Sequence, residues 1–232
     1  MLLTQLCELE RLVRAPEAAP TRVRLVCECY TAYRWLPSAM AQLRVRSPQL
    51  QVEILTEHTA DPVRALLREQ IDVALLTTAL VPKHGALLEQ QLFSDEVVFV
   101  VAASHPLAQH RFITPEDLQA HSLITSNTPS AEARWFMARV FGRKKPRLEL
   151  VRFPLTEAVM DAARAGMGIA VLSEWVASGY LESGDLVVKR LRTGALRRSW
   201  RMAYRREMAE AAERLLGPLA SSAPRLHALG SR

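Results

Sequence analysis

Between Thr21 and Leu76 the chain alternates between apolar runs of strand length and longer segments with helical spacing. In Thr21–Cys29, Val23, Leu25, Cys27 and Cys29 fall on one face at period two, opposite Arg22, Arg24, Val26 and Glu28. Leu36-Pro37 opens a helix, with proline in the first turn where its missing N–H costs nothing. Leu36, Met40 and Leu43 make its apolar face, and Ser47-Pro48 ends it. A second strand carries Val52, Ile54 and Thr56. Asp61-Pro62 caps a second helix that turns Leu66 and Leu67 inward, and Ile71–Leu76 is a third strand. This strand–helix–strand–helix–strand order admits few solutions. Parallel neighbours joined by right-handed crossovers are the favoured one.

After a strand at Val97–Ala102 the rhythm restarts. Thr114-Pro115-Glu116-Asp117 has the layout of a capping box. Ser122–Thr125 is a short strand, and Ser130–Phe141 a helix with Trp135, Phe136 and Val140 as core. Arg147–Phe153 is a strand, and Thr156–Ala165 a helix ended by Gly166. Gly168–Leu172 and Asp185–Leu191 are strands, Arg198–Tyr204 crosses back to the first half, and Glu207–Leu229 is a closing helix broken near Gly217-Pro218 and Pro224. The fold class is therefore α/β, with two Rossmann-like lobes, a hinge and an interlobe cleft. Residues 20–99 plus 203–232 form lobe I, and residues 100–202 form lobe II. Ahead of them, Leu2, Leu6, Leu9 and Val13 give Met1–Arg14 an apolar stripe, and Ala15–Pro20 is a stiff linker. Residues 1–19 are thus expected to be a partner-facing helix and its linker.

Composition narrows the function. Hydrophobic residues make up 49% of the 232, and aromatics only 6%, which suits an aliphatic α/β core. The formal charge of +6 raises nucleic acid as a partner. Yet the excess sits in local clusters, Arg143, Lys144, Lys145 and Arg147, then Arg190, Arg192, Arg197, Arg198, Arg201, Arg205 and Arg206, neither of which interleaves with aromatics as a single-strand platform would need. Three cysteines, Cys7, Cys27 and Cys29, point to a reducing compartment and to core packing of the last two. Met1–Arg14 lacks the basic start of a secretion signal, no stretch is apolar enough to span a membrane, and a cytoplasmic location is expected. The histidines have no metal-ligand spacing, no nucleophile elbow exists, and neither catalysis nor a cofactor is expected.

Ligands in open α/β sheets bind beyond the carboxyl ends of strands, so the loops there are the candidate site. Cys29, Tyr30, Thr31, Tyr33 and Trp35 follow the first strand and lead into a helix N-terminus that favours an anion. Trp35 is as readily core as pocket. Thr77 and Thr78 end the third strand with two hydroxyls, or simply cap the turn. Thr125 and Ser126 hold the matching position in lobe II. Thr156 is either a ligand contact or an N-cap, and Met167 lies between Gly166 and Gly168 in a loop without phosphate-binding spacing.

Five segments then carry a family resemblance: Ile71-Asp72-Val73-Ala74-Leu75, Asp95-Glu96-Val97, His105-Pro106-Leu107-Ala108, Pro115-Glu116-Asp117-Leu118 and Gly166-Met167-Gly168-Ile169-Ala170. Together they resemble the effector-binding domain of LysR-type transcriptional regulators over nearly the whole chain. Gln70 and Ser173 depart from that pattern. The resemblance implies a type 2 periplasmic-binding-protein-like fold that binds a small-molecule co-effector between its lobes. It also implies a homodimer or homotetramer, and DNA contact only through a winged helix-turn-helix that this chain is expected to lack. Glu28-Cys29 with Trp35, Leu76–Pro82 and Ile113–Leu118 are similar to the methionine-pathway regulators of that family. That narrower likeness implies homocysteine or a similar amino acid as co-effector. A transporter's solute-binding protein and a ligand-free dimerisation module are the alternatives on the same fold.

Overall fold

The computed structural model describes residues 21–83 and 85–224. The expected N-terminal helix and linker, and the closing helix beyond Pro224, lie outside the described residues. In chain order the elements are β1 (Thr21–Cys27), α1 (Leu36–Arg46), β2 (Leu50–Leu55), α2 (Pro62–Leu67), β3 (Val73–Leu76), β4 (Leu87–Ala102), α3 (Pro115–Ala120) and β5 (Leu123–Thr125). Then come α4 (Ser130–Phe141), β6 (Leu150–Arg152), α5 (Thr156–Arg164), β7 (Ile169–Ser173), α6 (Glu174–Ser178), β8 (Leu186–Lys189), β9 (Leu196–Arg205) and α7 (Ala209–Ser221).

All described strands join one curled sheet in the order β2-β1-β3-β9-β4-β7-β5-β6, with β8 pairing β4. The outer strands are parallel as the crossovers require: β1 with β2 and β3, and β5 with β6 and β7. The middle is antiparallel. The first part of β4, Leu87–Val97, pairs with β9, and its last part, Val97–Ala102, pairs with β7 and β8. Thus β4 and β9 are the two strands that run from one half of the molecule to the other. The start of β4 at Leu87 corrects the expected start at Val97. Glu89, Gln90 and Gln91 are exposed, so this segment lacks the apolar pattern that marks a buried strand.

The halves keep separate cores. Leu25, Leu36, Leu75, Trp200 and Met202 pack in the first, together with Leu215 and Leu219 of α7. In the second, Phe99, Ile113, Leu118, Leu123 and Leu196 pack on one side of the sheet, and Val98, Val100, Met160 and Ala170 on the other. Each fully buried aliphatic or aromatic side chain contributes roughly 1.5–3 kcal/mol.

Local signals act as their chemistry requires. The Asp61 side chain accepts from the Arg64 N–H at 3.3 Å at the start of α2. Thr114 and Asp117 close a reciprocal capping box on α3. Gly168 has φ +146, and a Cβ there would lie 2.2 Å from the Ser122 carbonyl oxygen, so only glycine fits this entry to β7. Three expectations are corrected. Leu67 is exposed, because the short α2 turns it away from the sheet. Thr156 is the first residue of α5 and Leu155 the N-cap, so the hydroxyl does not cap. Helix α7 runs through Gly217-Pro218, where proline removes only one N–H near the helix end and packs as a buried side chain.

Candidate functional site

The carboxyl ends of β1 and β5 meet where β4 and β9 cross between the halves. A cavity of about 190 Å³ opens there. Cys29, Tyr30 and Thr31 form one wall, next to the short 3-10 turn Tyr30–Arg34. Thr125, Ser126, Glu132 and Trp135 form the other, from β5 and α4. Leu123, Phe136, Val159 and Val171 give it an apolar floor continuous with the second core. Arg198 enters from β9.

Arg198 is the charged centre. Its Nε and Nη2 donate to Asp95 Oδ1 and Oδ2 at 3.1 and 2.7 Å, and Nη2 also donates to Ser173 Oγ at 2.8 Å. Ser173 Oγ in turn donates to Asp95 Oδ2 at 2.8 Å. Nη1 makes a short ion pair with Glu132 Oε1 and lies 4.0 Å from Cys29 Sγ. One guanidinium therefore ties the two crossing strands, β7 and helix α4 together, beside the end of β1. Burial alone would raise the Asp95 carboxyl, but the Arg198 charge and hydrogen bonds outweigh it and hold it below the ordinary value. Glu132 goes the other way. Its burial raises it, Arg198 opposes that, and the nearby Glu28 and Asp95 charges add to the rise. Burial pushes the Cys29 thiol up to about 11.

Glu28 is almost fully buried, and its carboxylate fills a nest of donors at the end of β3. It accepts from the N–H groups of Thr77 (2.6 Å), Thr78 (3.0 Å) and Ala79 (3.0 Å), and from Thr78 Oγ1 (2.6 Å). A second recess of about 700 Å³ is lined by Glu28, Asp61, Thr78, Arg134 and Trp135. Trp135 lines both spaces.

Of the sequence-selected residues, Cys29, Tyr30, Thr31, Thr125, Ser126 and Thr156 line the cavity. Thr78 faces the second recess. Tyr33, Trp35, Thr77 and Met167 line neither. Trp35 belongs to the first core, edge-on to Phe93 and Trp200 at 5.5 and 5.9 Å. Tyr33 packs edge-on against Tyr30 at 5.2 Å, Thr77 is buried at the strand end, and Met167 is exposed beyond α5. Glu28, Asp95, Glu132, Ser173 and Arg198 escaped the sequence reading as site residues. One signal was available for Arg198. On β9 it falls at period two with Leu196, Trp200 and Met202, which places it on their inward face.

With this geometry established, comparisons place the chain among known proteins. Residues 17–222 match the family model described as the LysR substrate binding domain. The HTH-type transcriptional regulator MetR of Salmonella typhimurium is 34% identical over 181 residues, covering 77% of this chain and 55% of that protein. MetR of Escherichia coli K12 shows the same identity and coverage. The chain thus spans about half the length of the curated relatives it matches. Among solved structures, the regulatory domain of MetR from N. meningitidis superposes with a TM-score of 0.79 at 28% identity, covering 87% of this chain and 93% of that one. A full-length OxyR from Pseudomonas aeruginosa aligns with a TM-score of 0.72 at 19% identity over 94% of this chain and 76% of that one, which speaks to the fold alone.

Proposed function

This chain belongs to the LysR substrate binding domain family, and we propose that it is the effector-sensing part of a transcriptional regulator, with an amino-acid-like co-effector held at the cavity between its halves. One observation carries the reading. The cavity places charges of both signs, Arg198 and Glu132, above an apolar floor, at the crossing of the two strands that join the halves. Homocysteine is the favoured co-effector, supported by the methionine-pathway likeness in Glu28-Cys29, Leu76–Pro82 and Ile113–Leu118 and by the identity to MetR. Cys29, Tyr30, Thr31, Thr125, Ser126 and Thr156 are proposed to contact it.

A co-effector shifts the arrangement of the halves, or of a dimer or tetramer, only by its differential affinity for the two states. The longer regulator is proposed to pass that shift to a separate DNA-binding domain. The lobes proposed for this task are residues 20–99 with 203–232, and residues 100–202.

The test is a thermal melt with homocysteine beside methionine, cysteine and homoserine. A ligand at one hundred times its Kd stabilises the folded chain by about 2.7 kcal/mol. A concentration-dependent rise confined to homocysteine is the expected outcome. No rise with any of the four removes the amino-acid co-effector from the account.

A further inference from the structure

We propose that the Glu132–Arg198 ion pair is a receptor for the zwitterion of an α-amino acid, which binds by splitting it. The ligand ammonium takes the Glu132 carboxylate, and the ligand carboxylate takes Nη1 of Arg198. This deepens the co-effector reading above and rests on it.

Asp95 already satisfies Arg198 through two hydrogen bonds, and both side chains are almost wholly buried. Glu132 is then a surplus anion, reaching the same guanidinium from α4 and lining the cavity. Glu28 and Asp95 crowd it further with like charge. A half-buried anion with a shared partner favours a cation.

Each ligand class has a different cost. A simple carboxylate that displaced Glu132 from Nη1 would leave Glu132, half-buried, without a counterion. A simple amine could pair with Glu132 but would strip Nη1 of its acceptor. A zwitterion replaces both lost contacts at once, because it carries the two charges a few ångströms apart. The cavity, about 190 Å³, is smaller than the roughly 300 Å³ at which drug-sized sites begin, so it suits a metabolite. Leu123, Phe136 and Val171 on its floor select a short apolar or thiol side chain. Splitting the pair also removes the charged link between α4 and β9, while the apolar packing of Leu196 against α4 remains. Ligand capture therefore acts directly on a strand that joins the halves.

Calorimetric titration tests this with L-homocysteine and L-methionine, each beside its N-acetyl derivative, which lacks the cation, and its methyl ester, which lacks the anion. A free amino acid should bind at least about tenfold more tightly than either of its blocked forms. Glu132→Gln should lose about tenfold or more for the free amino acid while leaving the N-acetyl form unweakened, and Glu132→Asp should recover part of the loss. The parent and both variants are melted first, and Glu132→Gln should stay folded because Arg198 keeps Asp95 and Ser173. If Glu132→Gln binds as the parent does, or the blocked forms bind as tightly as the free amino acids, the ion-pair assignment is wrong while the co-effector reading stands. If neither amino acid nor any derivative binds the parent, both fall together.

Discussion

Asp95 and Arg198 stand directly opposite each other on the antiparallel strands β4 and β9, and their side chains close a two-point ion pair at 3.1 and 2.7 Å. These strands carry the chain between the halves, so the pair locks the crossing itself. Ser173 at the end of β7 is hydrogen-bonded to both partners, which leaves the buried charges satisfied. Removing Asp95 strips the guanidinium of its partner across the strands and leaves it Glu132 of α4 as its remaining anion. Asp95→Asn should therefore cost about 1.5–3 kcal/mol in urea unfolding at neutral pH, the loss of hydrogen bonds to a charged group. A loss below about 1 kcal/mol, the size of a surface ion pair, would show that water reaches the crossing.

The pH dependence has two opposing parts. Burial works against Asp72 and Asp95 as anions, but the hydrogen bonds and charges of Arg24 and Arg205 hold Asp72 below the ordinary value of 3.8, and Arg198 does so for Asp95. The stability these groups add is complete above 3.8 and is lost as pH falls through their lowered values. Glu132 is raised above its ordinary 4.5, so its contribution is complete below 4.5 and is lost as pH rises through the raised value. Urea midpoints followed from pH 3 to pH 8 should show Asp72→Asn flattening the acid limb. They should also show Glu132→Gln raising the midpoint near neutrality. A lower midpoint for Glu132→Gln at pH 7 would contradict the surplus-anion account.

Gly168 is held between Ser122 and β7 in a conformation that side chains rarely adopt. Ile169 N–H donates to the same Ser122 carbonyl at 2.9 Å, so the backbone cannot move away without losing a bond. Gly168→Ala should destabilise by about 3 kcal/mol, strain and steric overlap together. Thermal melts check this against Gly142→Ala, where nothing lies within 4 Å of the added carbon and only the backbone strain at φ +62 remains. Equal losses would mean that contact with Ser122 is not the cause.

Cys29 lines the cavity, but its thiol is raised from an ordinary 9.0 to about 11 by burial. Reaction runs through the thiolate, whose population is then about a hundredfold lower than for an ordinary thiol. Cys29, followed by peptide mass, should thus react slowly with iodoacetamide at pH 8 in the folded chain and quickly in the denatured one. Fast modification of Cys29 in the folded chain would mean the site is wetter and more open than the geometry implies.

Much of the fold could be read in the sequence, because its outer strands and helices are local in cause. Proline at the start of α1 and α2, the Thr114–Asp117 box and Gly168 each act within a few residues of themselves. The centre of the sheet could not be read this way. The first part of β4 is polar, and its strand character comes from pairing with β9, about a hundred residues later. The charged cluster was hidden for the same reason. Asp95, Glu132, Ser173 and Arg198 are scattered in sequence and meet only when the crossing forms. Arg198 also sits in an arginine-rich run that reads as solvated surface, and only its place on the same strand face as Leu196 and Trp200 sets it apart. Among the loops, residues directly after β1 and β5 reached the cavity. Trp35 did not, because its bulk is used against Phe93 and Trp200 in the first core.

The central claim is that a small amino acid binds in the cavity between the halves. Trp135 borders that cavity and the second recess, whereas Trp35 and Trp200 lie in the first core. The most direct measurement is a tryptophan-fluorescence titration with L-homocysteine of the parent chain and of Trp135→Phe. The account predicts a saturable change in the parent that is largely lost in Trp135→Phe. A change that Trp135→Phe retains in full would place the ligand elsewhere, and no saturable change in a folded parent would contradict the claim.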